Sequence, residues 1–137
     1  MKIFYKDVSN SNEHDIRREV ELQERAFKIG VSPKILDTDY KTYIRMEHID
    51  EMCIADIYGE DFNTMPKDII DEIYNILMRL YLECDIEYID VTPYNFIKKE
   101  EKLWIIDFGD AKLVETNWFM KELIINKKLV GWNLDFR

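Results

Sequence analysis

Apolar residues recur at steps of three and four from Ile69 through Ile73, Ile76, Leu77 and Leu80 to Cys84, which predicts a helix from about Pro66 to Cys84 with one continuous inward stripe. Pro66 suits its first turn. A second periodic stretch, from about Glu13 to Ile29, follows the polar run Ser9-Asn10-Ser11-Asn12, which offers several caps, and stops at Gly30. Ile16, Val20, Leu22, Ala26, Phe27 and Ile29 mark its buried face. One charge breaks the pattern: projected at about 100° per residue, Glu19 falls near the middle of the apolar arc and needs a partner there. Gln23 lies on the same arc and needs a hydrogen bond.

Elsewhere the period is two. Lys2-Ile3-Phe4-Tyr5-Lys6 alternates as a short strand entering the fold, and Lys6 at its end is the natural partner for Glu19; Lys2 is the weaker candidate, and a solvated strand-end lysine is the alternative. Gly30 to Asp39 breaks the chain and starts a strand, with Thr42 to Glu47 as its hairpin mate. A short helix is expected from Glu51 to Tyr58, closed by Gly59. Phe96-Ile97 and Leu103 to Ile106 form a hairpin about the charged turn Lys98 to Lys102. A last helix is expected from Thr116 to Lys127, and Trp118, Phe119, Leu123, Ile124, Leu129, Trp132 and Phe136 supply apolar surface to close the lower part of the fold.

At 137 residues, 47% hydrophobic, the chain can bury one sizeable core and is most simply a single domain, 1–137. A net charge of −9 argues against nonspecific attraction to nucleic acid or anionic membranes, so neither direct nucleic-acid binding nor a membrane role is expected. The start, Met1 to Asp7, is interrupted by charge and no apolar run approaches a membrane span, so a cytoplasmic location is the expectation. Cys53 and Cys84 lack metal-ligand spacing, and Cys84 belongs to a helix stripe; His14 and His48 have no evident metal partners.

The chemistry concentrates in Asp90-Val91-Thr92-Pro93-Tyr94-Asn95 and, a dozen residues on, Asp107-Phe108-Gly109. Asp90 can accept a proton from an attacking hydroxyl, while Asn95 and Asp107 offer hard oxygen ligands to magnesium on a nucleotide's phosphates. The hairpin between the two motifs sets Asn95 beside Asp107.

These motifs resemble the catalytic and magnesium loops of the protein kinase superfamily. Tyr88 stands where those kinases have His or Tyr, Ile89 replaces the Arg and Thr92 the Lys, which looks more like the atypical kinases. The connector Met46-Glu47-His48-Ile49 narrows the likeness to the KEOPS-complex kinases and their RIO-type relatives. The resemblance implies an α+β fold, a minimal two-lobed kinase, with a reduced antiparallel-sheet N-lobe and hinge over 1–49 and a small, mostly helical C-lobe over 50–137. It implies ATP and Mg2+ as cofactors, an adenine-contacting hinge at Glu47, His48 and Ile49, phosphate contact by Lys6 with Glu19 orienting it, Asp90 as base, and Asn95 and Asp107 as metal ligands. Two departures stand out: no Gly-rich loop precedes Lys6, and residues 110–137 hold no Ala-Pro-Glu motif, long activation segment or set of peptide-docking helices. Exposed phosphates, weaker affinity and slower transfer are the expected consequences.

The function expected is therefore ATP- and magnesium-dependent phosphoryl transfer of the atypical serine/threonine kinase type, to a protein hydroxyl or to the chain itself. The alternatives are a nucleotide- or partner-binding module with little catalysis, and a small-molecule phosphotransferase. A protein substrate or partner is expected, and self-association is plausible for so reduced a fold.

Overall fold

In the computed structural model, which describes residues 2–113 and 117–136, strand β1 (Ile3–Asp7) leads into helix α1 (Glu13–Lys28). Of the four candidate caps, Asn12 is the one used: its side chain accepts the Asp15 N–H at 2.8 Å. Gly30, at φ 80°, turns the chain out of the helix. Strands β2 (Ile35–Thr38) and β3 (Tyr43–Glu47) complete an antiparallel sheet ordered β1-β3-β2, in which Lys6 lies opposite Ile44 and Phe4 opposite Met46.

The next helix, α2 (Ile54–Tyr58), starts three residues later than the sequence pattern suggested. The Glu51 N–H bonds the Ile49 carbonyl, and Cys53 is held extended by a bridge to Ile97, so residues 51–53 cannot join the helix. A 3-10 turn (Phe62–Thr64) leads to α3 (Lys67–Cys84), whose stripe of Ile69, Ile73, Ile76, Leu77, Leu80 and Cys84 is buried throughout. Strand β4 (Ile86–Glu87) pairs with β7 (Lys112–Leu113), and between them β5 (Phe96–Lys99) and β6 (Lys102–Ile105) form the expected hairpin. Its two-residue turn, Glu100-Glu101, has φ of 54° and 63°, the backbone twist that a tight hairpin requires, here without glycine or asparagine. Helix α4 (Trp118–Asn126) is capped by Asn117, and a 3-10 turn (Leu134–Phe136) follows. The expected helix start at Thr116 lies outside the described residues.

Two apolar clusters result. The smaller, beneath the three-stranded sheet, joins Val8, Ile16, Val20, Ile44 and Met46; the larger surrounds α3 and takes in Tyr88, Phe96, Phe108, Phe119 and Trp132. Helix α1 serves both, with Ile16 and Val20 in the first and Leu22 and Ala26 in the second. Phe27 is 42% exposed rather than buried, and Trp118 and Ile124 likewise face outward, because periodicity assigns a face without saying how far the opposing surface extends. Phe119, Leu123, Leu129 and Trp132 do close the larger cluster. Among the described residues no helix is long and apolar enough to cross a membrane.

Candidate active site

Glu19, the charge that disturbs the apolar face of α1, is buried and ion-paired with Lys6. The Lys6 ammonium also reaches Asp107 Oδ1 at 3.0 Å. Burial by itself would draw Lys6 down, but the two carboxylates outweigh it and hold it above its ordinary value, so it stays a cation. Lys2, the weaker candidate, is exposed and pairs instead with Asp50.

Asp107 follows β6 by two residues and has φ 64°, in the left-handed region that Asp tolerates better than most residues. Its Oδ1 accepts from Lys6 and from the Gly109 N–H at 3.1 Å, and Oδ2 has no partner among the described residues. Gly109 is there for space: a Cβ would lie 3.3 Å from Asp107 Oδ1 and 3.5 Å from Glu19 Oε1. Asn95 is brought alongside by the Ile106 N–H bonding its carbonyl at 3.0 Å. Its side-chain Nδ2 donates to the Asp90 carbonyl at 2.9 Å, which leaves Oδ1 unpartnered among the described residues.

The loop carrying Asp90 is clamped from several directions. The Ala55 N–H, at the start of α2, bonds the Pro93 carbonyl at 3.1 Å; buried Asn133 donates its side-chain Nδ2 to the Ile89 carbonyl at 2.7 Å and its N–H to the Val91 carbonyl at 3.0 Å. The Tyr88 hydroxyl donates to the Ile106 carbonyl at 2.6 Å, with its ring edge-on to Phe108, tying this loop to the segment that presents Asp107. Burial pushes the Asp90 carboxyl up to about 6; Asn95 opposes this, and the negative charges of Asp107 and Asp110 add to it.

A cleft of about 220 Å³ brings together Lys6, Glu47, His48, Ile49, Asn95 and Asp107, with apolar walls from Phe4, Met46, Ile97 and Ile106. Glu19 and Asp90 are not in its wall; they meet it through Lys6 and Asn95. Gln23 lines the cleft and satisfies its amide on the Pro33 carbonyl at 3.0 Å. The Glu47 and His48 N–H groups are taken by the Lys34 and Lys2 carbonyls, whereas the Ile49 N–H has no partner among the described residues, so of these three cleft residues Ile49 alone offers a free backbone donor. The apolar walls were not singled out from sequence, although Phe4 had a signal: two residues from Lys6 on a strand, it faces the same side.

Asn95 Oδ1 and Asp107 Oδ2 make a donor set of two hard oxygens. That is too few for a cage but suits Mg2+, which keeps waters and takes phosphate oxygens. Among the described residues no group of three or more His, Cys, Asp or Glu could hold a metal ion.

A lysine-glutamate pair beneath a small antiparallel sheet, an apolar cleft at the sheet's exit strand, and an Asp-Asn-Asp set below it define a protein kinase-like fold. The RIO domain family model matches residues 5–123, and the chain belongs to that family of atypical, kinase-like ATP-binding phosphotransferases. No curated protein matches the chain.

Proposed function

We propose that this protein binds ATP with Mg2+ between its sheet and its helical part and transfers the γ-phosphoryl group to a serine or threonine hydroxyl of a protein, itself included. The observation that carries the reading is the convergence of Lys6 on both Glu19 and Asp107, with Asn95 held beside Asp107 by the Ile106 N–H. Chance proximity of motif residues does not supply a buried carboxylate to orient the lysine.

In this reading the adenine lies against Phe4, Met46 and Ile97, with the Ile49 N–H as donor, and Lys6 contacts the phosphates. Mg2+ held by Asn95 and Asp107 would neutralise charge on the phosphate oxygens. Asp90 takes the proton of the acceptor hydroxyl as its oxygen bonds to the γ-phosphorus and the bond to the bridging oxygen breaks, releasing ADP. Its raised affinity for a proton suits a base working just above its own midpoint.

The test is thermal stability with and without MgATP, followed by incubation with labelled ATP. Binding to the native state raises the melting temperature, and label should pass to protein in the wild type but not in Asp90→Asn. Absence of both stabilisation and label transfer at millimolar MgATP would sink the proposal. Stabilisation without transfer would leave a nucleotide-binding module in place of an enzyme.

A further inference from the structure

Gln23, the chain's only glutamine, lies one turn of α1 beyond Glu19 and is 1% exposed, yet it lines the cleft. It is held at both ends. Ser32, itself buried, donates its hydroxyl to the Gln23 backbone carbonyl at 3.1 Å, which ties this turn of the helix to the loop after Gly30. The side-chain Nε2 donates to the Pro33 carbonyl at 3.0 Å and lies 3.5 Å from the Met46 sulfur.

These contacts decide which way the amide faces. A carbonyl oxygen only accepts, so the nitrogen must be the atom turned towards Pro33 and the oxygen the atom turned away. Oε1 has no partner among the described residues. Nor is it sealed in the core: among the described residues the buried side-chain atom left without a partner is Trp104 Nε1. The oxygen of this buried side chain therefore opens on the cleft that Gln23 lines. An oriented acceptor between the apolar walls of Phe4 and Met46 calls for a donor, because an unmade hydrogen bond costs most where water is excluded.

We infer that Gln23 determines which base the cleft accepts, its Oε1 taking a hydrogen bond from the exocyclic amino group of adenine. The inference rests on the nucleotide-binding half of the proposed function and adds a specificity-determining residue to it. Ile49 offers the cleft a backbone donor and Gln23 an acceptor. Adenine presents the complementary pair, a ring nitrogen that accepts beside an amino group that donates. Guanine presents the reverse, a ring N–H beside a carbonyl oxygen, and sets donor against donor and acceptor against acceptor. The amide cannot turn over to suit it, because its nitrogen would then leave the Pro33 carbonyl facing an oxygen.

The test is calorimetric titration of the full chain with MgATP and with the magnesium complex of purine riboside triphosphate, which carries hydrogen in place of the amino group. The wild type should bind MgATP about tenfold more tightly, the scale of one buried acceptor left unsatisfied, and Gln23→Met should reduce the preference to below about threefold. A purely structural role would weaken both ligands together, so a ratio unchanged in Gln23→Met overturns the inference. Tighter binding of MgGTP than of MgATP by the wild type overturns it as well. Should the variant not fold, the wild type carries the test alone: isotope labelling of glutamine gives a single side-chain amide signal, expected at different nitrogen shifts in the two complexes. Equal shifts overturn the inference. No turnover is involved, so equal affinity for the two nucleotides rejects the role of Gln23 and leaves the nucleotide reading standing, whereas binding of neither rejects both.

Discussion

Lys6 and Asp107, 101 positions apart in the chain, are joined by a 3.0 Å ion pair, and this contact sets the strand-borne lysine against the segment that follows β6. Glu19 lies behind it, buried, on the other side of the same ammonium. The site is thus organised around one cation that two carboxylates share.

Removing that cation should cost both binding and stability. Lys6→Met leaves Glu19 buried without its partner and should destabilise the fold by about 2–3 kcal/mol in urea unfolding, because the uncompensated charge remains. Adding Glu19→Gln should recover much of that loss while leaving MgATP binding impaired. Equal stability of the single and double variants would show that the pair is not coupled.

If Asp90 is the base of the proposed transfer, its carboxyl, pushed up to about 6 by burial, should give activity a defined pH dependence. The base must be ionised to take a proton, so kcat/KM should rise as pH increases through about 6 and level off above it. For stability the sign is opposite. The folded state holds this proton more tightly than the unfolded chain, so the contribution is full below the ordinary carboxylate value near 4 and is lost as pH rises through about 6. Asp90→Asn should abolish transfer, by roughly a hundredfold or more, and flatten both profiles.

Asp107→Asn keeps a residue that tolerates φ 64° and so spares the backbone. The variant should stay folded yet lose the magnesium-dependent part of its stabilisation by ATP, read as the difference between melting in MgATP and in ATP with chelator. Gly109→Ala should do the same more mildly, since its methyl group crowds Asp107 Oδ1 and Glu19 Oε1. A full response to magnesium in Asp107→Asn would remove this residue from the metal site.

Asn133 holds the loop that carries Asp90 from behind through the Ile89 and Val91 carbonyls. Asn133→Ala leaves the buried Ile89 carbonyl without its donor and should cost about 1–3 kcal/mol. The expected kinetic signature is a lower kcat with little change in the affinity for MgATP, because the loop is loosened and the cleft is not. A changed nucleotide affinity with kcat preserved would argue against a positioning role.

How much of this was legible in the sequence depends on the range of the forces involved. The stripe of α3, the hairpin and the misplaced charge at Glu19 are local periodicities, and each appears where the pattern put it. The match of residues 5–123 to the RIO domain likewise agrees with the loop motifs. Nothing local announces that Asn133 will meet Ile89, that Tyr88 will reach the Ile106 carbonyl, or that β3 will lie between β1 and β2. Those pairings join distant segments and carry no spacing signal. The start of α2 departs from the local pattern for the same reason, since the bridge from Cys53 to Ile97 that holds it back is a tertiary contact.

Among the described residues β1 pairs on one side only, with β3. Lys6 therefore sits on a sheet edge, where amide hydrogens exchange soonest and the backbone frays at the lowest free energy. Lys6 is anchored less by its ladder than by Glu19 and Asp107. Exchange rates along Ile3–Asp7 should accordingly be the most sensitive spectroscopic gauge of nucleotide occupancy, slowing before any change registers in the amides of α3.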